Sequence, residues 1–465
     1  MKTVQLAGPH RPKERGDVLV GIAARRRADL RMNLHLPGLP VFQQPKVSTL
    51  AWIAGGLFAY EGLIRRERIT GEEPLEILVP GDAEIDASSL TEAVESILRF
   101  TLDVHPPVRV RRVTSTGSEQ STPASNLDFD SVALFSGGTD SVCGIAEAKA
   151  LGLAPIGVSV THSGGTVACV QTLVDSTLSH LGVPCVRAGL STEGGWRLQQ
   201  LRGVLCTTIG GLAAITTSNP RLIISESGPT MFLPRFAPLD DVTLTTNPYV
   251  LSLTTGILKS QFGRRCELIE PYSKMTKAES VASCRVKDAI PNSHSCGDTR
   301  FVSHPRATHC GVCFGCIIRR TACLVAEVDD ARYASDPLCQ TAEHLGTGWR
   351  RNQRVSVDKF SEVMAVLIFA RRILEDKLPA SIRLHLESHG VEDLFRRLAM
   401  DILSGLYLLE QKPGLRNPVV NRFYRECLRD GIISQASVEA RLSDVRGGRF
   451  RPDFSIGRPG LHSAE

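Results

Sequence analysis

The chain has 465 residues, 42% of them hydrophobic and 22% charged, with 54 Lys+Arg against 49 Asp+Glu. At roughly 150 residues per domain this allows two or three domains with ample core, and the composition excludes wholesale disorder, collagen and coiled coil. The formal charge of +5 is carried from Arg350 onward, where 20 basic residues minus 15 acidic ones leave +5; a surplus this small usually reflects a solvated surface, and direct nucleic-acid binding, which normally shows a denser patch, stays open only as a lesser expectation.

The longest apolar runs, Leu50–Tyr60 and Val363–Ala370, fall short of the roughly 18–20 residues that a membrane span needs. The first residues, MKTVQLAGPHRPKERGD, contain no apolar stretch typical of a secretory signal, so the expected location is the cytoplasm, with no membrane partner. Thirteen cysteines, an odd number in a chain with no export signal, argue against a disulfide scaffold.

The first segment, 1–125, is expected to be an α+β unit. Leu30, Met32, Leu34 and Leu36 alternate with polar neighbours as in a half-buried strand. Glu73–Gly81 is a second strand, and Val108, Val110 and Val113 suggest a third. Ser89–Phe100 has a capping serine and an apolar face, Leu90, Ala93, Ile97 and Leu98, and is expected to be helical. The polar stretch Thr114–Asn126 is expected to be a linker or exposed loop.

From 126 to 330 the pattern changes. Ser131–Ser136, Pro155–Ser163, Val183–Gly189, Arg221–Ser227 and Arg265–Tyr272 are short, nearly continuous apolar runs. Helical segments, Ser141–Ala150 and Arg197–Ile215, lie between them. This alternation predicts an α/β fold with a parallel sheet covered on both faces, whose ligand would sit at the carboxyl ends of the strands. From 331 to 465 the chain is expected to be helical. Phe360, Val363, Met364 and Leu367 form one stripe, and Val391, Leu394, Phe395, Leu398 and Ile402 another. The Gly-, Arg- and Pro-rich end is expected to be disordered or ordered by a partner.

Two motifs carry chemistry. Ser136-Gly137-Gly138-Thr139-Asp140-Ser141 follows an apolar strand and opens a helix. Paired glycines let the backbone approach an anion, and the helix start supplies free N–H groups and a positive dipole for phosphate. The hydroxyls of Ser136, Thr139 and Ser141 add donors, and Asp140 can cap N–H groups or help hold Mg²⁺. The loop lacks the Walker A lysine pattern. The second motif is Cys296, Cys310, Cys313 and Cys316, spaced C-x13-C-x2-C-x2-C. Four thiolates with no open position favour structural zinc, with an iron–sulfur cluster as the rival.

The complete SGGTDS string resembles the PP-loop ATP pyrophosphatases, of the adenine nucleotide alpha hydrolase-like fold, which cleave ATP between the α and β phosphates and adenylate a substrate oxygen. That resemblance implies that Phe135 to Ser141 surround the pyrophosphate and that His162, at the end of the second strand of this unit, contacts adenosine. His162 is equally readable as an ordinary loop histidine. Together with Thr276-Lys277-Ala278-Glu279, Ser295-Cys296 and Cys310–Cys316 followed by Arg319, the loop looks like the QueC family, the 7-cyano-7-deazaguanine synthases. The resemblance covers about 128–327.

It implies ATP-dependent activation of a deazaguanine carboxylate as an acyl-adenylate, followed by attack of an amine. Asp140 and Lys277 become the catalytic candidates, and Arg202, Ser225 and Glu226 the substrate-binding ones. Lys277 is equally readable as a solvated helix-start lysine. The flanking segments resemble the longer QueC-like proteins of bacterial antiviral defence clusters, the QatC type, which implies a protein partner and a protein amine as nucleophile. Three alternatives stay open: the housekeeping nitrile synthase of queuosine biosynthesis, a PP-loop tRNA-thiolating enzyme, and a catalytically inactive nucleotide-binding scaffold.

Overall fold

A computed structural model describes residues 4–7, 16–22, 30–33, 39–65, 69–114, 128–162, 167–192, 200–233, 246–296, 309–339, 353–411 and 417–455. Its centre is the predicted parallel sheet: β6 (Ser131–Leu134), β7 (Pro155–His162), β8 (Cys185–Thr192), β9 (Arg221–Ile223) and β10 (Glu267–Ile269). The spatial order β10-β9-β6-β7-β8 is parallel throughout. Strand β6 therefore lies between the next strand in the chain and a much later one. Chain order reverses beside it, and such a switch point opens a crevice at the carboxyl ends of the strands.

The sheet does not stop there. β3 (Leu30–Asn33) pairs antiparallel with β8, matching Leu30 to Thr192 and Asn33 to Gly189. Through β2 (Gly16–Ile22), β1 (Val4–Ala7), β4 (Leu75–Pro80) and β5 (Val108–Val113) it grows to ten strands. One apolar cluster joins Leu75 and Ile97 on the N-terminal side to Ile156 and Ile209 on the other.

Helix α1 (Pro45–Arg65) explains part of this continuity. It contains the apolar run Leu50–Tyr60 but extends to 21 residues, long and apolar enough to cross a bilayer, and 94% of its most apolar window is buried inside the fold. It is a core helix. Its buried Glu61 accepts the N–H groups of Gln200 at 2.7 Å and Leu201 at 2.8 Å, supplying negative charge where α5 (Arg202–Ala214) begins. The predicted helix Ser89–Phe100 is α2 (Ala87–Leu102), capped by Asp86, not Ser89: its carboxylate accepts from the Ser88 and Ser89 N–H groups. Asp86 also exchanges hydrogen bonds with Gln261 of α7 (Pro248–Phe262), at 2.8 and 3.0 Å.

The remaining helices of the central unit are α3 (Thr139–Ala150), α4 (Val167–Leu181), α6 (Gly228–Phe232), α8 (Lys277–Ser283) and α9 (Phe314–Ala326). The C-terminal third is helical as predicted: α10 (Gln353–Leu374), α11 (Ala380–His389), α12 (Glu392–Gln411), α13 (Pro418–Arg429) and α14 (Gln435–Arg446). Phe395, Leu398 and Ile402 of the predicted stripe bury against Ile317 and Ile318 of α9. The tail departs from the expectation of disorder up to Ser455. Phe450 lies under the guanidinium groups of Arg397 and Arg441, at 4.9 and 5.4 Å, and the Asp453 N–H donates to the Pro271 carbonyl at 3.0 Å. Most of the predicted loop Thr114–Asn126, and residues 456–465, lie outside the described residues.

Candidate functional site

The glycine turn follows β6 at the switch point. Gly137 has φ +78°, a left-handed conformation that glycine adopts without steric cost. The turn then enters α3 with Gly138 as the residue before its first helical position. The Gly138 N–H donates to Ser136 Oγ at 3.2 Å, and the Thr139 N–H to Ser295 Oγ at 3.2 Å. Ser141 Oγ donates back to the Gly138 carbonyl at 2.8 Å. The serine and threonine hydroxyls thus gather round the helix start, where an anion would be favoured. Phe135 is buried beneath the turn, 1% exposed.

Asp140 points inward from the first turn of α3. Its Oδ2 accepts from Lys277 Nζ at 2.5 Å and from the Ser227 N–H at 3.2 Å, and its Oδ1 from Ser280 Oγ at 3.3 Å. Lys277 is the first residue of α8, fixed by a capping box between Thr276 and Glu279. Burial works against its charge, but Asp140 and then Glu226 hold the ammonium protonated above its ordinary range. Glu226 joins the same cluster. Burial first, and Asp140 next, push its carboxyl up to about 8, against the pull of Lys277. With Glu226 protonated, the trio is electrically neutral, which suits an enclosed site.

Ser225 packs against α3 at Gly144, where a side-chain carbon on that residue would overlap Ser225 Oγ. Arg202 is exposed at the start of α5 and interacts with Cys206, one turn on, which does not bring it into the Asp140–Lys277 cluster. His162 ends β7 opposite Leu190, and its side chain lies outside the described residues.

The four cysteines converge as their spacing implies. One sulfur from each of Cys296, Cys310, Cys313 and Cys316 lies within 4.8 Å of all the others. Cys310 and Cys316 are 3.8 Å apart, about the edge of a tetrahedron of sulfurs at ~2.3 Å from a central zinc. Cys313 stands at the N-cap of α9 and Cys316 in its first turn. Gly311 has φ +86°, and an added side-chain carbon would overlap the Ser335 carbonyl oxygen, so this turn requires glycine. The donor set is compatible with a metal ion such as zinc.

One group that motif reading left without a role is the hub between these two sites. Arg319 of α9 is fully buried and donates to Asp330 Oδ1 at 2.8 Å, Thr139 Oγ1 at 3.1 Å, Ser293 Oγ at 2.8 Å, and the carbonyls of Ser293 at 2.9 Å and Ile290 at 2.6 Å. Its position three residues after Cys316 is the available signal. Comparison of the chain with protein-family models, with curated proteins and with solved structures finds no match in any of the three.

Proposed function

We propose that this chain is an AMP- and pyrophosphate-forming enzyme that uses ATP to adenylate a carboxylic acid, a 7-deazaguanine carboxylate or a similar acid, and transfers the acyl group to an amine. The observation that carries this reading is the enclosed Asp140–Lys277 pair beside the hydroxyl-lined glycine turn, at the carboxyl edge of a parallel sheet. The turn from Phe135 to Ser141 would hold the departing pyrophosphate through N–H and hydroxyl donors. Lys277 would offset its growing negative charge. Asp140 offers carboxylate oxygens for Mg²⁺, a hard cation that takes oxygen ligands and commonly accompanies nucleotide phosphates.

The chemistry requires this kind of site. A carboxylate is a poor electrophile because it would have to expel oxide. Its oxygen attacks the α-phosphorus, the bond to the β,γ-diphosphate breaks, and pyrophosphate leaves. The amine then attacks the acyl carbon, loses a proton, and AMP leaves with the bonding electron pair. Orientation and charge neutralisation supply most of the catalysis in such a scheme.

The nucleophile we favour is a protein amine, in a bacterial antiviral system, with the N- and C-terminal segments engaging the protein partner. The segments outside 126–330, and the net positive charge after residue 349, support this reading. Zinc in the four-cysteine site would serve structure, since four thiolates leave no position for substrate. Incubation with ATP and carboxy-deazaguanine, with and without a co-encoded protein, followed by intact mass spectrometry, tests the proposal. A conjugate on that protein, with AMP and pyrophosphate released, is the expected result. Clean nitrile from ammonia with no protein mass shift would identify the housekeeping synthase instead.

A further inference from the structure

We infer that the four-cysteine centre is a positioning device for the glycine turn, acting through a clasp made of Ser293–Cys296 and Arg319. Four consecutive residues connect the two sites. Ser293 Oγ and Ser295 Oγ bond Thr139 Oγ1 at 3.0 and 2.9 Å. Between them the His294 N–H donates to the Gly137 carbonyl at 2.7 Å. The next residue, Cys296, is one of the four convergent thiols.

The clasp is held from behind by the same centre. The Cys310 N–H donates to Cys296 Sγ at 3.3 Å, and the Ser295 N–H donates to His309 Nε2 at 3.1 Å. A side-chain carbon on Gly315, between Cys313 and Cys316, would come within 2.6 Å of the Ser295 carbonyl oxygen, so the ligand-bearing turn packs directly on the clasp. Arg319, one turn along α9 from Cys316, reaches Thr139 Oγ1 at 3.1 Å and completes a second path.

Bound metal fixes Cys296, Cys310, Cys313 and Cys316 relative to one another, and so fixes both paths. Without it four thiols must share a buried space with no central cation. The last residue of the clasp and the first turn of α9 are then free to shift, and the hydrogen bonds to Gly137 and Thr139 weaken with them. Ser293, Ser295 and Arg319 are positioning residues in this scheme: they act on whatever the turn binds by holding Thr139. The coupling stands on contacts that need no ligand; only its consequence for nucleotide affinity rests on the activity proposed above. That consequence is reciprocal, so a phosphate ligand in the turn should tighten metal binding by the same factor.

Hydrogen exchange by mass spectrometry on the full chain tests the coupling. Stripping metal with a chelator should raise exchange over 136–142 at least about tenfold while leaving β4 protected. Unchanged exchange over 136–142 in protein shown to be metal-free overturns the inference. If the stripped chain unfolds as a whole, metal-loaded Ser295→Ala decides. Faster exchange over 136–142 with metal content intact supports the clasp, and exchange equal to the parent overturns it. ATP binding to the loaded chain, by calorimetry, tests the activity separately. A turn that responds to metal yet takes no ATP would sink the proposed reaction and leave the clasp standing.

Discussion

Asp140 and Lys277 stand 137 positions apart in the chain, yet the ammonium donates to Asp140 Oδ2 at 2.5 Å, with both side chains largely closed off from water. The contact links the first turn of α3 to the first residue of α8, so one ion pair joins the helix that follows the glycine turn to α8. Removing one partner leaves an uncompensated buried charge, which typically costs about 3–5 kcal/mol. Lys277→Met should therefore lose stability in that range and lose roughly 10²–10³-fold in AMP formation. Adding Asp140→Asn should restore much of the stability and none of the activity. Urea melts beside AMP assays separate the two effects, and a double variant as unstable as Lys277→Met would refute the ion-pair account.

The metal centre makes its own prediction. A closed tetrahedral S₄ site binds zinc without visible colour, whereas an iron–sulfur cluster absorbs through thiolate-to-iron charge transfer. Metal analysis of purified protein should give a single equivalent of zinc per chain. Cobalt substitution should give the blue-green spectrum of a tetrahedral thiolate site. Cys313→Ser should lower both metal content and melting temperature, because ligand binding in a structural site is also folding energy. Iron in place of zinc, or full zinc occupancy in that variant, would count against the assignment.

The parts of this protein that sequence makes visible are those encoded locally. The glycine turn, the parallel strands and the cysteine spacing are each contained in short, ordered stretches, and the structure brings the cysteines together as spaced. Helix α1 is hidden for a physical reason: it is buried on nearly all sides, so Ser48 and Thr49 before the apolar run, and Gly55 and Gly56 within it, mark no solvent face. The junction of β3 with β8 joins residues about 160 positions apart and has no local signature. Arg202 and Ser225 are candidates by position in the chain, but helix phase turns one to solvent and packing turns the other onto α3. The reach of Arg319 to Thr139 depends on the packing of α9 against the glycine turn, which no spacing rule contains.

Glu226 should leave a signature in the pH dependence of stability. Its carboxyl is pushed up to about 8 from an ordinary 4.5, chiefly by burial and then by Asp140. Across that window the folded chain keeps a proton that the unfolded chain has lost, so stability falls as pH rises. The contribution is complete below the unfolded value and is lost as pH climbs through the folded one. Glu226→Gln stays neutral at every pH and should flatten this slope. Melting curves across the window would show the parent gaining on the variant toward acid. A constant difference between the two would rule out a protonated Glu226.

The C-terminal helices bear on the candidate site through Glu279, the capping residue of the helix that carries Lys277. Arg441 of α14 donates to Glu279 Oε1 and to Asp401 Oδ1 of α12, both at 2.7 Å, and to Thr276 Oγ1 at 3.3 Å. Arg397 of α12 pairs with the other Glu279 oxygen. Burial raises the carboxyl of Asp401 above its usual range, and Arg441 works against that rise. One planar guanidinium thus bridges two enclosed carboxylates, a geometry that a single ammonium does not reproduce. Arg441→Lys should therefore behave much like Arg441→Met, each losing about 3–5 kcal/mol. Arg441→Met combined with Glu279→Gln and Asp401→Asn should regain part of that loss, because no carboxylate is then left unpaired. AMP formation should stay low in the combined variant, since the start of α8 is no longer clamped and Lys277 loses its fixed approach to Asp140. Denaturant melts that place Arg441→Lys within about 0.5 kcal/mol of the parent, the range of an ordinary surface change, would remove the bridge from the account of how Lys277 is held.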